Sequence, residues 1–227
     1  MPSTLVYPDS SNNSIVSVHE TYGIARLEGA LTEPHPTDGN IRVGQRNNAS
    51  NSGFPDFIIT NSYSCWEGFE RFNLSSIPAG VTVTDVLYTV DPINISAGDQ
   101  SFTLETRINN NWPTSLTTAD WVSGANLGSI QYPAIASKFI SNSTSISRAT
   151  LTNTANTLSE VQAALDSPTR YLNVMYNSDK QRLNVSPGAW SDKNGWAEFN
   201  PSTSAGSKIT ITWEYASNNT IMLGGFF

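Results

Sequence analysis

The chain is poor in the residues that build disulfides, metal sites and many catalytic centres. Its 227 residues include one cysteine, Cys65, and two histidines, His19 and His35. One cysteine cannot form an intrachain disulfide, and cysteine and histidine are too few for a structural zinc site. Neither histidine belongs to a G-x-S-x-G or an H-E-x-x-H motif. The sequence therefore predicts a protein that is not an enzyme and that takes no cofactor or metal. A chain of this length has enough core to fold without either.

Basic residues are also scarce. Twelve Lys and Arg face nineteen Asp and Glu, and the formal net charge is -7. A nucleic-acid-binding domain usually carries a basic face or stripe. No apolar run approaches the ~18–20 residues of a membrane span, and residues 1–14 lack the basic start and apolar stretch of a signal peptide. We therefore expect no nucleic-acid or membrane partner, and synthesis in the cytoplasm without classical export.

The chain is rich in Ser, Thr and Asn, which make up roughly a third of it and favour turns and strand surfaces over helices. Six Trp, eight Tyr and nine Phe need a core and therefore argue against disorder. Apolar and polar residues alternate along Val81–Asp91 and Ser207–Tyr215, as in half-buried antiparallel strands. The sequence predicts an all-β, antiparallel jelly-roll sandwich.

One short helix is expected at Thr157–Asp166, where Thr157 is a candidate N-cap and Glu160 follows three residues later, as in a capping box. The next two segments, Arg170–Asn177 and Gln181–Ser186, are predicted to form a hairpin.

The pattern of strands and turns also predicts the domain boundaries. Residues 1–39 are polar and are predicted to be an N-terminal arm with short strands at Ser14–Val18 and Tyr22–Gly29. Residues 40–216 are predicted to form the jelly-roll sandwich, and residues 217–227 are predicted to form a C-terminal tail.

The segment Phe69–Val90 resembles a family of bacterial surface proteins, the DNRLRE-type jelly-roll modules. Those modules have a strand ending in R-F-D-L-S, followed by a short I-P-A-G turn. The matching residues here are Arg71, Phe72, Asn73, Leu74, Ser75, Ile77, Pro78, Ala79 and Gly80. Asn73 stands where the family usually has Asp. A weaker likeness extends over residues 40–215. The resemblance implies a jelly roll that binds polysaccharide or belongs to a cell-surface or phage-particle protein.

Some side chains allow both a chemical and a structural interpretation. Two pairs of carboxylates are candidates for the close acids of a glycosidase, with solvated charges as the alternative. These pairs are Glu67 with Glu70 and Glu198 with Glu214. Cys65 is expected to be a buried structural thiol rather than a reactive one. Asp192 and Asn194 are either calcium ligands or part of an ordinary turn, and the turn is favoured.

The leading functional hypothesis is a structural protein of a bacteriophage particle, most simply a capsid decoration (cement) protein and otherwise a tail or fibre component. Its expected partners are the major capsid protein and its own copies, with a trimer favoured. The expected localisation is the virion. Apolar residues of the two termini are the predicted partner-binding residues. They are Tyr7, Ile15, Val18, Ile221, Met222, Leu223, Phe226 and Phe227.

The alternative hypothesis is a carbohydrate-binding module that recognises polysaccharide through tryptophans in or beside loops. Sugars stack on exposed aromatic faces, whereas rings that close the ends of the sandwich would serve packing instead. The candidate glycan-binding residues are Trp112, Trp121, Trp190 and Trp196. Trp213 and Tyr88 are assigned to the core.

Overall fold

The computed structural model describes residues 1–9, 13–27, 34–35, 41–47, 50–52, 58–60, 62–97, 100–110, 116–141, 148–187, 193–199 and 207–215. The strands in these ranges are β1 (Ser3–Val6), β2 (Asn13–His19), β3 (Pro34–His35), β4 (Ile41–Asn47), β5 (Ser50–Ser52), β6 (Ile58–Thr60), β7 (Tyr63–Asn73), β8 (Val81–Val90), β9 (Pro92–Ser96), β10 (Phe102–Ile108), β11 (Ala134–Ile140), β12 (Ala149–Thr150), β13 (Thr152–Asn153), β14 (Tyr171–Ser178), β15 (Lys193–Phe199) and β16 (Lys208–Tyr215). The helices are α1 (Tyr22–Leu27), α2 (Thr157–Asp166) and α3 (Asp179–Leu183).

The strands form two main antiparallel sheets. The small sheet has the order β1-β16-β8-β12, and the large sheet has the order β13-β11-β10-β14-β7-β4-β15-β9, with β2 and β3 attached through β7. The separate pair β5–β6 forms a third, two-stranded sheet. One apolar cluster contains buried side chains from both main sheets, so the sheets pack face to face. The predicted all-β antiparallel sandwich is confirmed.

The long strand β7 organises the large sheet. Its residues 68–73 pair with β14, its residues 63–66 pair with β4, and its residues 63–69 pair with β2. Phe72 and Leu74, which the sequence places inward, are fully buried in the main core. The turn that follows contains Gly80 with a φ of +73°, a conformation that glycine adopts without steric cost.

The buried residues of the strand β8 follow the alternation of the sequence. Val86, Tyr88 and Val90 are buried, as the pattern indicates, and Leu87 between them is exposed. Trp213 of the neighbouring β16 is also in the core. The register shift opposite Thr212 and Trp213 leaves Thr84 of β8 without a partner on β16. The buried positions of β8 therefore change from Val81 and Val83 to Val86 and Tyr88, because one extra residue reverses the alternation.

The large sheet carries a second layer on its outer side, formed by α1, the segment 116–132 and α3. Two smaller apolar clusters lie under this layer. Two hydrogen bonds connect the parts of this layer: Gly124 N–H donates to the carbonyl of Arg26 at 2.8 Å, and the Arg26 side-chain Nε donates to the carbonyl of Gln181 at 2.7 Å. The predicted strand at Tyr22–Gly29 is wrong, since Tyr22–Leu27 is helical and covers the sheet.

The helix α2 is confirmed with the predicted bounds, but its predicted capping box does not form. Asn156 occupies the N-cap position, and no side chain caps the helix. The hydroxyl of Thr157 instead donates to the carbonyl of Ile135 on β11. The predicted hairpin after β14 is also wrong, because Ser178 caps the short helix α3.

The N-terminal residues are part of both sheets. β1 pairs with β16 from Ser3↔Thr212 to Val6↔Ile209, Pro8 then bridges to Phe72, and β2 pairs with β7. The described part of residues 1–39 is therefore not an arm, because its strands satisfy backbone groups of the two sheets and bury Val6 in the core. None of the described helices is long and apolar enough to span a membrane.

Candidate binding surfaces

The outer face of the small sheet carries two exposed leucines with a half-buried threonine between them. The register pairs Leu5 of β1 with Thr210 of β16, and Thr210 with Leu87 of β8. The three side chains therefore lie side by side on the face turned away from the core. Leu5 is 45% exposed and Leu87 is 46% exposed. Tyr7 and Met1, at the two ends of β1, are exposed as well.

The two edges of the small sheet differ. Along the edge at β8, the Leu151 N–H donates to the backbone carbonyl of Tyr88 at 2.9 Å. The Asn153 side-chain amide donates to the backbone carbonyl of Val86 at 2.7 Å. Gln162 of α2 accepts from Val83 N–H at 2.8 Å and donates to the Val81 carbonyl at 3.1 Å. At the other edge, no described strand pairs with the outer side of β1. An unpaired edge presents backbone donors and acceptors to a partner.

A groove of about 250 Å³ lies where α2 crosses the ends of β10 and β14. Its apolar wall includes Ile108, Ala163 and Leu172, and its polar residues include Glu160 and Tyr171. The Tyr171 ring is held from the sheet side, since the Arg71 guanidinium lies 4.6 Å from the ring centroid. Arg71 in turn pairs with Asp9 at 2.6 Å.

The carboxyl groups of Glu67 and Glu70 point to opposite sides of β7. Glu67 lies under the outer layer, where it accepts a hydrogen bond from Val122 N–H at 3.0 Å. Glu70 lies in the sandwich interior and accepts hydrogen bonds from the hydroxyls of Tyr176 and Tyr88. The two groups therefore do not share a cleft. Glu198 and Glu214 belong to different sheets, so the predicted carboxylate pairs do not form.

Burial controls the protonation of both glutamates on β7. Burial raises the pKa of Glu70 from 4.5 to about 7, although the tyrosine hydrogen bonds favour the charged form. Burial likewise raises the pKa of Glu67 well above its usual range, against one opposing backbone hydrogen bond. Both groups therefore keep their protons to a higher pH than an exposed glutamate does.

A charged cluster on the large sheet behaves in the opposite way. Glu105 of β10 pairs with Arg107 and with Arg182 of α3, each at 2.7 Å, and accepts from the Asn177 amide at 3.0 Å. Burial alone would raise the pKa of Glu105, but the hydrogen bonds from Arg182 and Arg107 outweigh it and lower the pKa. This cluster anchors α3 to the sheet.

Comparison with known proteins gives no family for the chain. A scan against protein-family models found no match, and a search of curated proteins found none either. The likeness of residues 69–90 to DNRLRE-type modules therefore stays a prediction, and the interpretation of function depends on the surfaces themselves.

The two candidate glycan-binding tryptophans that the structure describes are half-buried. Trp121 packs against both apolar clusters under the outer layer. Trp196 lies beside Arg42, whose guanidinium is 4.8 Å from its ring centroid and 5.4 Å from that of Trp66. Arg42 also pairs with Glu198 at 3.2 Å. Trp112 and Trp190 lie outside the described residues.

The predicted partner-binding residues have different environments. Tyr7 is exposed, and Val18 is half-buried. Ile15 is 2% exposed and belongs to an apolar cluster with Phe69 and Met175, so its side chain serves packing and not partner binding. The remaining predicted residues, Ile221, Met222, Leu223, Phe226 and Phe227, lie outside the described part of the chain.

Cys65 is a buried thiol, as predicted. It is fully buried on β7, and burial raises its pKa to about 12. No group of three or more potential metal ligands occurs among the described residues. Of the two residues considered for calcium, Asp192 lies outside the described ranges, and Asn194 pairs with Arg46 in the ladder of β15 and β4.

The sequence gives no signal for the exposed row on the small sheet or for the groove, because each combines residues distant in the chain.

Proposed function

We propose that the protein is a structural component of an assembled particle, most simply a bacteriophage capsid decoration protein, and that it associates through its small sheet. The observation that supports this best is the exposed row Leu5–Thr210–Leu87 beside the open edge of β1. Contiguous exposed apolar surface is typical of protein interaction sites. An open strand edge adds backbone hydrogen bonds to such a contact.

The contrast between the two sheet edges supports the same proposal. Side chains of Asn153 and Gln162 occupy the backbone groups along β8, so that edge cannot accept a further strand. The edge at β1 has no such cover among the described residues. Association through one face and one edge leads to a defined oligomer, and a closed homo-oligomer, with a trimer favoured, is the expected form on a symmetric shell. The major capsid protein is the expected second partner.

The proposal is tested by light scattering on the purified chain and on two matched variants. Leu87→Glu places a charge in the exposed row, whereas Leu158→Glu places one on α2 at a leucine of similar exposure, 42% against 46%. We expect the wild type to form an oligomer of defined size. We expect Leu87→Glu to raise the dissociation constant of that oligomer by about tenfold or more, which corresponds to a loss of ~1.4 kcal/mol of association free energy. Leu158→Glu is expected to behave as the wild type.

Circular dichroism of all three proteins serves as the folding control. A wild type that stays monomeric at every concentration, or two variants that associate as strongly as the wild type, would contradict association through the small sheet. Deletion of residues 221–227 in the same assay tests the tail as a second contact. Unchanged association after that deletion means that the tail is not an anchor.

Polysaccharide binding is the second candidate function, and one observation favours it. The described candidate tryptophans, Trp121 and Trp196, are half-buried against other side chains, but the groove between α2 and β14 offers polar groups and a tyrosine on a separate surface.

A further inference from the structure

The hydrogen bonds of β1 show which of its backbone groups bind β16. Trp213 N–H donates to the carbonyl of Pro2 at 3.1 Å, and the same antiparallel register continues through Val6. Along an antiparallel strand, residues that bond to one neighbour alternate with residues that bond on the other side. Thr4 and Val6 therefore continue the pattern that begins at Pro2 and direct their backbone groups to β16.

Ser3 and Leu5 consequently direct their N–H and C=O groups to the open edge of the small sheet. Among the described residues, none bonds to these groups. At the opposite edge, Leu151, Asn153 and Gln162 bond to backbone groups of β8. The edge at β1 is thus the side of the small sheet to which a further strand can add.

The chain itself carries a segment suited to this edge. Residues 216–227 follow β16, lie outside the described ranges and have the sequence A-S-N-N-T-I-M-L-G-G-F-F. The run T-I-M-L at residues 220–223 includes two β-branched residues, which strands favour. Asn and Gly, which favour turns, stand on either side of it. The run has four residues, and β1 has four as well.

Charge favours this segment as the partner of the edge. The chain has a net charge of -7, so two copies repel each other on average. Neither β1 nor residues 216–227 contain a charged side chain. Asp9, the first acidic residue after β1, is paired with Arg71 at 2.6 Å. The edge and the tail can therefore meet without repulsion between like charges.

The side chains of the run also match the surface beside the edge. In a strand, Ile221 and Leu223 lie on one face, and Thr220 and Met222 lie on the other. Whichever face is turned outward, it places an apolar side chain next to Leu5, which is 45% exposed. Pairing would therefore remove apolar surface of both segments from water.

The direction of the chain indicates that the tail comes from a neighbouring copy. The end of β16 lies beside the start of β1, because Trp213 bonds to Pro2. A tail that turned back onto its own β1 would run parallel to it, and parallel pairs are slightly less stable per residue than antiparallel ones. Twelve extended residues reach up to about 40 Å, so the tail can meet β1 of another copy in the antiparallel direction.

We propose that residues 220–223 of one copy add as an antiparallel strand to the open edge of β1 in the next copy. The inference rests on the proposed association through the small sheet and names the occupant of its edge. The contact joins two different surfaces, a tail and an edge. Such heterologous contacts build rings when the rotation between copies closes. Three copies that each donate a tail to the next would form the favoured trimer.

Cross-linking between two single-cysteine variants of the full chain tests which segments meet. One variant is Ser3→Cys, and the other is Gly224→Cys with a size tag; the native Cys65 is buried and does not compete. We expect a short bis-maleimide to join the mixed variants into a heterodimer. In the control mixture Ile130→Cys, at an exposed residue of the outer layer, replaces Gly224→Cys, and we expect no heterodimer.

Proline substitutions test the backbone pairing by light scattering. Leu5→Pro removes an N–H at the open edge, a position where a sheet tolerates proline. Combined Ile221→Pro and Met222→Pro removes the N–H groups on both sides of the tail run. We expect each protein to raise the dissociation constant of the oligomer by about tenfold or more. Gly225→Ala, outside the run, is expected to associate as the wild type, and circular dichroism checks that all variants are folded.

The results separate this inference from the proposed function. Absence of the heterodimer, or tail-proline variants that associate as tightly as the wild type, would overturn the tail contact. A homodimer of Ser3→Cys alone would overturn it too, because it indicates pairing of two β1 edges. If Leu87→Glu still weakens association in these cases, the proposed function stands without the tail contact. A wild type that is monomeric at every concentration contradicts both.

Discussion

Glu67 and Glu70 are two fully buried carboxyl groups on opposite faces of one strand. An isolated buried carboxylate is far more costly than a buried carboxylic acid, so such groups stay protonated unless a cation or several donors compensate them. Glu105 provides the comparison within the same sheet, because Arg107 and Arg182 compensate it and lower its pKa. The same residue type therefore has opposite protonation preferences on neighbouring parts of the sheet.

The first residue-scale prediction concerns Glu70. Its pKa is raised from 4.5 to about 7 in the folded protein, so the folded state holds a proton that the unfolded chain releases between these pH values. The contribution of Glu70 to stability is thus fully present below pH 4.5 and is lost as the pH rises through 7. Glu70→Gln keeps a neutral acceptor for the tyrosines. We expect it to be more stable than the wild type at pH 8.5 by roughly 3 kcal/mol and similar to it near pH 4.5.

Urea unfolding of the wild type and of Glu70→Gln across this pH range measures the difference. Taking the difference removes the contribution of Glu67, which has the same sign and is common to both proteins. Glu214→Gln, at an exposed carboxylate, controls for the change in net charge. A difference between wild type and Glu70→Gln that does not vary with pH would contradict the buried-carboxyl interpretation.

At the scale of elements, α2 has a role beyond covering the core. Its residue Gln162 makes two hydrogen bonds to the backbone of β8, one to Val83 and one to Val81. The strand β12 pairs only with residues 89–90 of β8. Further along β8, the two bonds from Gln162 take the place of a neighbouring strand. The helix therefore protects the end of a sheet edge.

We expect Gln162→Ala to destabilise the fold by about 1–3 kcal/mol, because it leaves one backbone donor and one backbone acceptor of β8 without their partners. Leu158→Ala, on the same helix at an exposed position, is expected to change stability by less than about 0.5 kcal/mol. Urea unfolding of both variants at one pH is sufficient. Equal effects of the two substitutions would mean that the Gln162 contacts contribute nothing measurable.

Alternation and helical pattern predicted β8, β16 and α2 from the sequence, since each pattern is local. α3 was missed although its signal is present: Ser178 and Gln181 have the S-x-x-Q spacing of a capping box, and both bonds form. α1 was missed because Tyr22–Leu27 is too short for a periodic pattern, and its helical form depends on packing against β2 and β7. The groove could not be predicted, because Ile108, Glu160 and Tyr171 meet only in the folded chain.

At the scale of the whole molecule, the N-terminal segment joins the two sheets. β1 completes the small sheet, and its Thr4 accepts a hydrogen bond from the Trp213 indole at 3.2 Å. Asp9 then reaches the large sheet, where it donates its N–H to the Arg71 carbonyl at 2.7 Å. Trimming this segment would therefore affect folding as well as any contact with partners.

Two neighbouring residues of β1 test this role. Val6 is 6% exposed and Leu5 is 45% exposed. We expect Val6→Ala to lower the unfolding free energy by about 1–3 kcal/mol through loss of buried methyl groups. Leu5→Ala, measured at concentrations where the chain is monomeric, is expected to change it by less than about 0.5 kcal/mol. Thermal or urea unfolding of the two variants measures the difference. A Val6→Ala protein as stable as the wild type would mean that this segment is a detached arm.

The buried thiol of Cys65 makes the native protein suitable for site-specific labelling. The thiolate is the form that reacts with maleimides and similar reagents, and a pKa of about 12 keeps this thiol protonated in neutral buffer. Because the chain has one cysteine, a second cysteine introduced at Ile130, which is 99% exposed, would be the single reactive position. A fluorophore or spin label there reports distances between copies in an assembly while the native Cys65 stays in place.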